Sequence, residues 1–142
     1  MRKLNLTLGV FVIIILNIIS CSKCEDEELV TIIPYFKSEA CEITSDVEET
    51  SRCATKQMLI HLYGNLEYPE EAKANQIEGT VTVEFDIGKD GIPTNHEVTS
   101  GIGHGCDEEA LKVVRTFLFT PAKNNCGNKI VSHMGVNVKF TL

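Results

Sequence analysis

Apolar and polar positions alternate most cleanly in two stretches of the second half of the chain. Val81, Val83, Phe85 and Ile87 alternate with Thr80, Thr82, Glu84 and Asp86, the period of a strand with one buried and one wet face. Gly88-Lys89-Asp90-Gly91 follows with turn chemistry, and residues 92–99 complete a hairpin. From residue 130 to residue 142 the even positions Ile130, Met134, Val136, Val138, Phe140 and Leu142 are apolar, Ser132 excepted, which predicts a long final strand. Helical spacing appears in three places. Met58, Leu59, Leu62 and Tyr63 recur as a short helix that Gly64 is expected to stop. Pro69 suits the first position of a second short helix, with Glu70 and Glu71 where the dipole favours negative charge. Asp107, Glu108 and Glu109 open a third, whose stripe is Ala110, Leu111, Val114, Phe117 and Leu118 and which Pro121 ends. Residues 45–52 and 123–128 are expected to be a polar loop and a polar turn. Residues 32–36 are expected to lie along the domain as an extended segment.

The order helix, helix, strand, strand, helix, strand predicts an α+β fold. It comprises a small three-stranded antiparallel sheet with helices packed on one face. The hairpin makes its first two strands antiparallel, and the third helix carries the chain back, so the third strand fits beside the first. The spatial order is then second–first–third. Pro93 supports it, because a proline in a strand removes a ladder donor and belongs on an edge. The third strand is left with an open edge. Its only charge after Lys129 is Lys139, which is weak protection against added strands, so a partner strand or a second copy could pair there.

Net charge is −7, and no basic patch suited to phosphate is visible, which argues against a nucleic-acid partner. Arg2 and Lys3 precede an apolar run over residues 4–19, then Ser20 and Cys21, the layout of a secretory leader. Ile18-Ile19-Ser20-Cys21 resembles a bacterial lipobox, in which Cys21 becomes the acylated N-terminus. An ordinary cleaved signal and an uncleaved anchor remain open. The expected organisation is a lipoprotein-type signal peptide at 1–20, a lipid-anchored tether and irregular segment at 21–52, and a folded domain at 53–142.

Six cysteines suit an exported compartment. With Cys21 acylated, an odd number remain. Cys41 with Cys53, across a short polar loop, is the simplest pairing, and Cys106 with Cys126 the second, with other connectivities open. An enzyme would have to rest on His104-Gly105-Cys106, with His96, His133 and Cys126 in support. A helix-start thiol of lowered pKa could serve such chemistry, and cysteine and histidine could hold zinc. The spacing matches no standard four-ligand site, and the paired glutamates at 70–71 and 108–109 are helix-start charges. No catalytic residue, metal or cofactor is expected.

Residues 58–142 resemble the C-terminal domain of TonB-type periplasmic proteins. The carrying motifs are Tyr68-Pro69-Glu70-Glu71-Ala72-Lys73, Glu78-Gly79-Thr80-Val81-Thr82-Val83-Glu84-Phe85 and Lys89-Asp90-Gly91. They continue with Glu109-Ala110-Leu111-Lys112-Val113-Val114-Arg115, Phe119-Thr120-Pro121-Ala122 and Val138-Lys139-Phe140-Thr141-Leu142. Cys41, Cys53 and Gly105-Cys106 look like a subgroup found in Bacteroidetes-type bacteria. The resemblance implies a non-enzymatic module whose third strand pairs with an extended segment of a TonB-dependent outer-membrane receptor, linked to transmembrane transport. Carried across by position, the partner-binding edge is Ile130, Val131, Ser132, His133, Met134, Gly135, Val136, Asn137 and Val138. Gln76 stands where the family often has glycine, Pro93 and His96 where it is often apolar, and Lys129 and Asn137 where the subgroup often has proline. A proline-rich spacer is missing, with four prolines in all, so the expectation is a standalone TonB-like domain on a lipid anchor in the bacterial envelope, facing the periplasm or the cell surface. The alternative is a structural envelope lipoprotein whose sheet edge is closed by homodimerisation.

Overall fold

The computed structural model describes residues 30–41 and 45–142. The leader, Cys21 and the first part of the tether lie outside the described residues. In chain order the elements are β1 (Val30–Ile32), α1 (Val47–Asn65), α2 (Glu70–Ala74), β2 (Gly79–Ile87) and β3 (Pro93–Ser100). They continue with α3 (Cys106–Val114), β4 (Ala122–Asn124), β5 (Lys129–Ile130) and β6 (Ser132–Phe140).

The main sheet is antiparallel in the order β3–β2–β6, the predicted second–first–third arrangement. Central β2 buries Val81, Val83, Phe85 and Ile87 completely, while the alternate residues keep the solvent face. Both neighbours follow from this pleat. Even-numbered residues of β2 sit opposite Ser100, Glu97 and Thr94 of β3, and the whole strand pairs with β6 without a shift, from Gly79 opposite Phe140 to Ile87 opposite Ser132. The buried face joins Leu62 of α1, Ala72 of α2 and Cys106, Ala110, Val113 and Val114 of α3 in one core, with Phe117, Phe119, Val136, Val138 and Phe140.

α1 corrects the expectation of a loop over residues 45–52 and a short helix stopped by Gly64. It begins at Val47, where the Asp46 carboxylate accepts the N–H groups of Glu48 (2.9 Å) and Glu49 (3.2 Å), a side-chain cap that satisfies orphan donors. Gly64 lies inside its last turn. Its packed stripe is Thr50, Ala54 and Leu62, buried, with Met58 partly buried, at i, i+4 spacing. The first half looked like a loop because that stripe is built there from threonine and alanine rather than large apolar residues. The helix also crosses the expected boundary between tether and domain at 52/53.

α3 stops at Val114, short of the expected Pro121. Beyond it Phe117 and Phe119 are buried and Leu118 is 49% exposed, the period of extended chain rather than helix. Asp107 fixes the start of α3 by accepting the N–H of Ile102 at 2.8 Å. Residues 30–36 run antiparallel to this extended stretch: Val30 faces Asn124, Phe36 bridges Phe119, and Lys37 donates to the Leu118 carbonyl at 2.7 Å. The predicted polar turn at 123–128 is part of a second small sheet, β1–β4–β5. The Asn124 carboxamide oxygen holds its tip by accepting from Cys126 (3.1 Å) and Asn128 (2.9 Å).

Cys41 and Cys53 form a disulfide with Cα atoms 5.9 Å apart, tying the N-terminal segment to α1. The second candidate pairing is overturned. Cys106 is a free, buried thiol, inside the core under α3, while Cys126 is engaged in a different disulfide.

Candidate protein-docking edge

β6 is the outer strand of the main sheet. Antiparallel strands turn the N–H and C=O of alternate residues to opposite sides. The Lys139 N–H points away from β2, since it donates to the Tyr63 hydroxyl of α1 at 3.3 Å. By alternation His133, Gly135 and Asn137 present their backbone groups outward too. Among the described residues nothing hydrogen-bonds to them. Nine consecutive pairs with β2 and no bulge keep this edge straight.

The side chains of β6 divide by parity. Val136, Val138 and Phe140 enter the core, whereas His133, Asn137 and Lys139 lie on the exposed face. Of the residues expected at the edge, Ile130 belongs to β5 in the small sheet, Val131 is an exposed link, and Ser132, His133, Met134, Gly135, Val136, Asn137 and Val138 lie on β6.

The exposed face carries a polar relay across the sheet. His133 Nδ1 lies 2.9 Å from Asp86 Oδ1, and its Nε2 lies 3.5 Å from Glu84. Asn95 of β3 donates to the other Asp86 oxygen at 2.9 Å. The hydrogen bond to Asp86 raises the His133 pKa, partly offset by lost hydration, with Glu84 adding to the rise. The bond from Asn95, then the one from His133, lowers that of Asp86. Thr82 donates to the Asn137 carboxamide oxygen at 3.0 Å.

The residues on which thiol or metal chemistry would rest do not converge. Burial pushes the Cys106 thiol up, and Asp107 and Glu108 push it further, the opposite of an activated nucleophile. His104 pairs with Glu71 at 3.0 Å. His96 packs against the Phe85 ring at a tilt, with burial and then Arg115 lowering its pKa. Among the described residues no group of three or more His, Cys, Asp or Glu could hold a metal, and no helix is long and apolar enough to cross a membrane.

Sequence reasoning missed the first half of α1. Its start lies against Tyr35, Phe36 and Thr120, next to Phe119, whose ring meets Phe85 opposite Met134. Its end reaches Lys139 through Tyr63. The i, i+4 recurrence of Thr50, Ala54, Met58 and Leu62 was the available signal.

The class defined by this fold is a small three-stranded antiparallel sheet, covered by helices on one face and unpaired along the outer side of β6 among the described residues. The comparisons identify the branch. The family model of the Gram-negative bacterial TonB protein C-terminal domain matches residues 64–142, more than half of the chain, and the protein belongs to that family. Two solution structures of the Helicobacter pylori TonB C-terminal domain are similar to it. One has 21% identity and a TM-score of 0.52, covering 71% of this chain and 95% of its own. The other has 19% identity and a TM-score of 0.46, covering 61% and 91%. The first shows the shared fold. No curated protein matches the chain.

Proposed function

We propose that this protein is a non-enzymatic protein-binding module of the bacterial envelope that captures an extended partner segment by strand addition to β6. The observation that carries the reading is the straight, unpaired edge of β6, where His133, Gly135 and Asn137 turn their backbone groups away from β2. Family membership suggests the partner class, TonB-dependent outer-membrane receptors, and a link to transmembrane transport. The leader and Cys21 support a lipoprotein, with a signal at 1–20, a tether at 21–52 and the binding domain at 53–142. Homodimerisation through the same edge is the alternative use of β6.

Peptides copied from the N-terminal segments of such receptors test the reading by fluorescence anisotropy. Asn137→Pro removes one outward donor while sparing the β2 ladder, and is expected to weaken binding at least ~10-fold through the lost hydrogen bond and the ring's bulk. Asn137→Ala keeps the donor and should bind within about 2-fold. A stable dimer that binds no peptide would overturn strand capture in favour of the alternative.

A further inference from the structure

Cys126 is disulfide-bonded, and the other cysteines narrow its partner to two residues. Of the six in the chain, Cys41 is bonded to Cys53 and Cys106 is a free, buried thiol, which leaves Cys21 and Cys24. Both precede β1, and the register of the small sheet favours that region. β1 and β4 are antiparallel, with Val30 opposite Asn124. Each step back along the chain from Val30 is therefore a step forward along its partner, toward Cys126, two residues past Asn124. Cys24 lies six residues before Val30, a length that spans up to ~20 Å.

The turn that carries Cys126 is a fixed frame. Asn124 donates its N–H to the Asn128 carbonyl at 3.0 Å, and Gly127 donates to the Asn124 carbonyl at 2.9 Å, with Gly127 at φ of 78°. The Asn124 carboxamide holds the N–H groups of Cys126 and Asn128 as well. β1 is weakly held by comparison. It has three residues and an irregular register with β4, too little pairing to fix a chain by itself. Its downstream side is secured by the Phe36–Phe119 bridge and then by the Cys41–Cys53 bond. A bond from Cys126 to the upstream side makes the N-terminal segment a strap stapled to the domain at both ends.

We infer that Cys126 pairs with Cys24 and that this bond sets how far the domain stands from the lipid surface. A Cys21 whose sulfur carries lipid has no thiol to give, so the choice of Cys24 rests on the lipoprotein reading above. Nine residues separate Cys21 from Val30, up to ~30 Å of chain. With the bond closed, the free stretch is the three residues from Cys21 to Cys24, up to ~10 Å. The turn at Cys126 is then held close to the lipid, and opening the bond lets the domain move outward. Closing it removes two protons and two electrons from the Cys24 and Cys126 thiols. The acceptor is the disulfide of a thiol oxidant, which becomes a dithiol, and a dithiol reductant reverses the exchange.

Trypsin tests the bond on the full chain without any substitution. Cleavage after Lys23 separates Cys21 from Cys24, cleavage after Arg52 separates Cys41 from Cys53, and all six cysteines fall on different peptides. The chain is purified in detergent, its free thiols are capped with N-ethylmaleimide in denaturant, and the unreduced digest is read by mass spectrometry. Peptide 24–37 should be joined to peptide 124–129, with the maleimide on Cys106. Peptide 124–129 joined to the Cys21 peptide overturns the inference and the lipid anchor together. Peptide 124–129 joined to a second copy of itself overturns the inference alone. The expected pair beside a Cys21 peptide free of lipid keeps the bond and overturns the anchor. The spacing is read in vesicles of phosphatidylethanolamine and phosphatidylglycerol that carry a dansyl lipid. Val131→Trp supplies the donor, at an exposed position in a chain without other tryptophan. Adding Cys24→Ser should lower energy transfer at least ~2-fold as the free stretch lengthens, and unchanged transfer overturns the control of distance.

Discussion

The two outer strands of the main sheet are treated differently. β3 begins with Pro93, paired opposite Ile87, whose backbone faces β6, so the missing N–H of the proline falls on the solvent side and removes no ladder bond. Its register with β2 shifts twice, and Asn95 takes a positive φ of 53°. Proline and irregularity of this kind are devices that stop a strand from accepting another. β6 has neither. It pairs with β2 over nine consecutive residues and carries no proline. One sheet thus has a blunted edge and an edge without such devices, and the asymmetry lies in backbone geometry rather than in hydrophobicity. The side chains that show on β6, His133, Asn137 and Lys139, are polar.

The largest expected effect breaks the blunted side. Gly91 closes the β2–β3 turn with φ of 85°, and a Cβ there would lie 2.0 Å from the Phe119 carbonyl oxygen. Phe119 in turn donates to the Gly91 carbonyl at 3.0 Å. Gly91→Ala is expected to cost about 3–5 kcal/mol, from backbone strain and overpacking together, measured by urea denaturation. Hydrogen exchange should show β3 losing protection before the β2–β6 ladder.

A smaller effect tests whether the two edges communicate. Asp86 on the central strand holds both Asn95 of β3 and His133 of β6. A raised His133 pKa means that its contribution to stability is fully present below the unfolded value of about 6.5 and is lost as pH rises through the higher folded value. Asp86, with a lowered pKa, contributes above its unfolded value of about 3.9 and loses that contribution as pH falls through the folded one. The pair is therefore intact between these limits. Asp86→Asn should bring the His133 titration midpoint back down, read from its imidazole resonances by NMR. An unchanged midpoint would mean that Glu84 holds the charge instead.

The smallest effect lies away from both edges and should leave their difference untouched. Gln76 ends α2 with φ of 51°, and the N–H groups of Gln76 and Ile77 close the turn on Lys73 and Ala72 at 3.1 and 2.9 Å. This left-handed position favours glycine. Gln76→Gly is expected to stabilise the fold by about 0.5–1 kcal/mol, less the chain entropy glycine adds to the unfolded state. Thermal melting measures it, and a lowered melting temperature would refute the strain argument.

Gln76 illustrates how far the sequence could be followed. Its departure from the family's glycine was visible as a letter, but whether it was a change of conformation or a strained side chain required φ. The alternation of Val81 through Ile87 and of Val136 through Phe140 needed no structure to interpret, because a period of two admits one buried face. Pro93 then ordered the strands. The end of α3 was misplaced because Phe117 fits both a helical stripe from Val114 and an extended alternation with Phe119. Only the contact of Phe119 with the β2–β3 turn chooses between them.

What the sequence determined by itself is the scaffold: the strand order, the blunted β3 edge, a final strand within 130–142 and the family motifs that run through them. These depend on local periods and on where a proline can be tolerated. The tertiary structure decided the rest. It assigned Cys106 to the core and gave Cys126 a different disulfide, since pairing follows distance and not spacing. It divided residues 130–142 between two sheets. It also extended α1 back to Val47, because Thr50 and Ala54 are small and their packing neighbours, Phe36 and Thr120 among them, lie elsewhere in the chain.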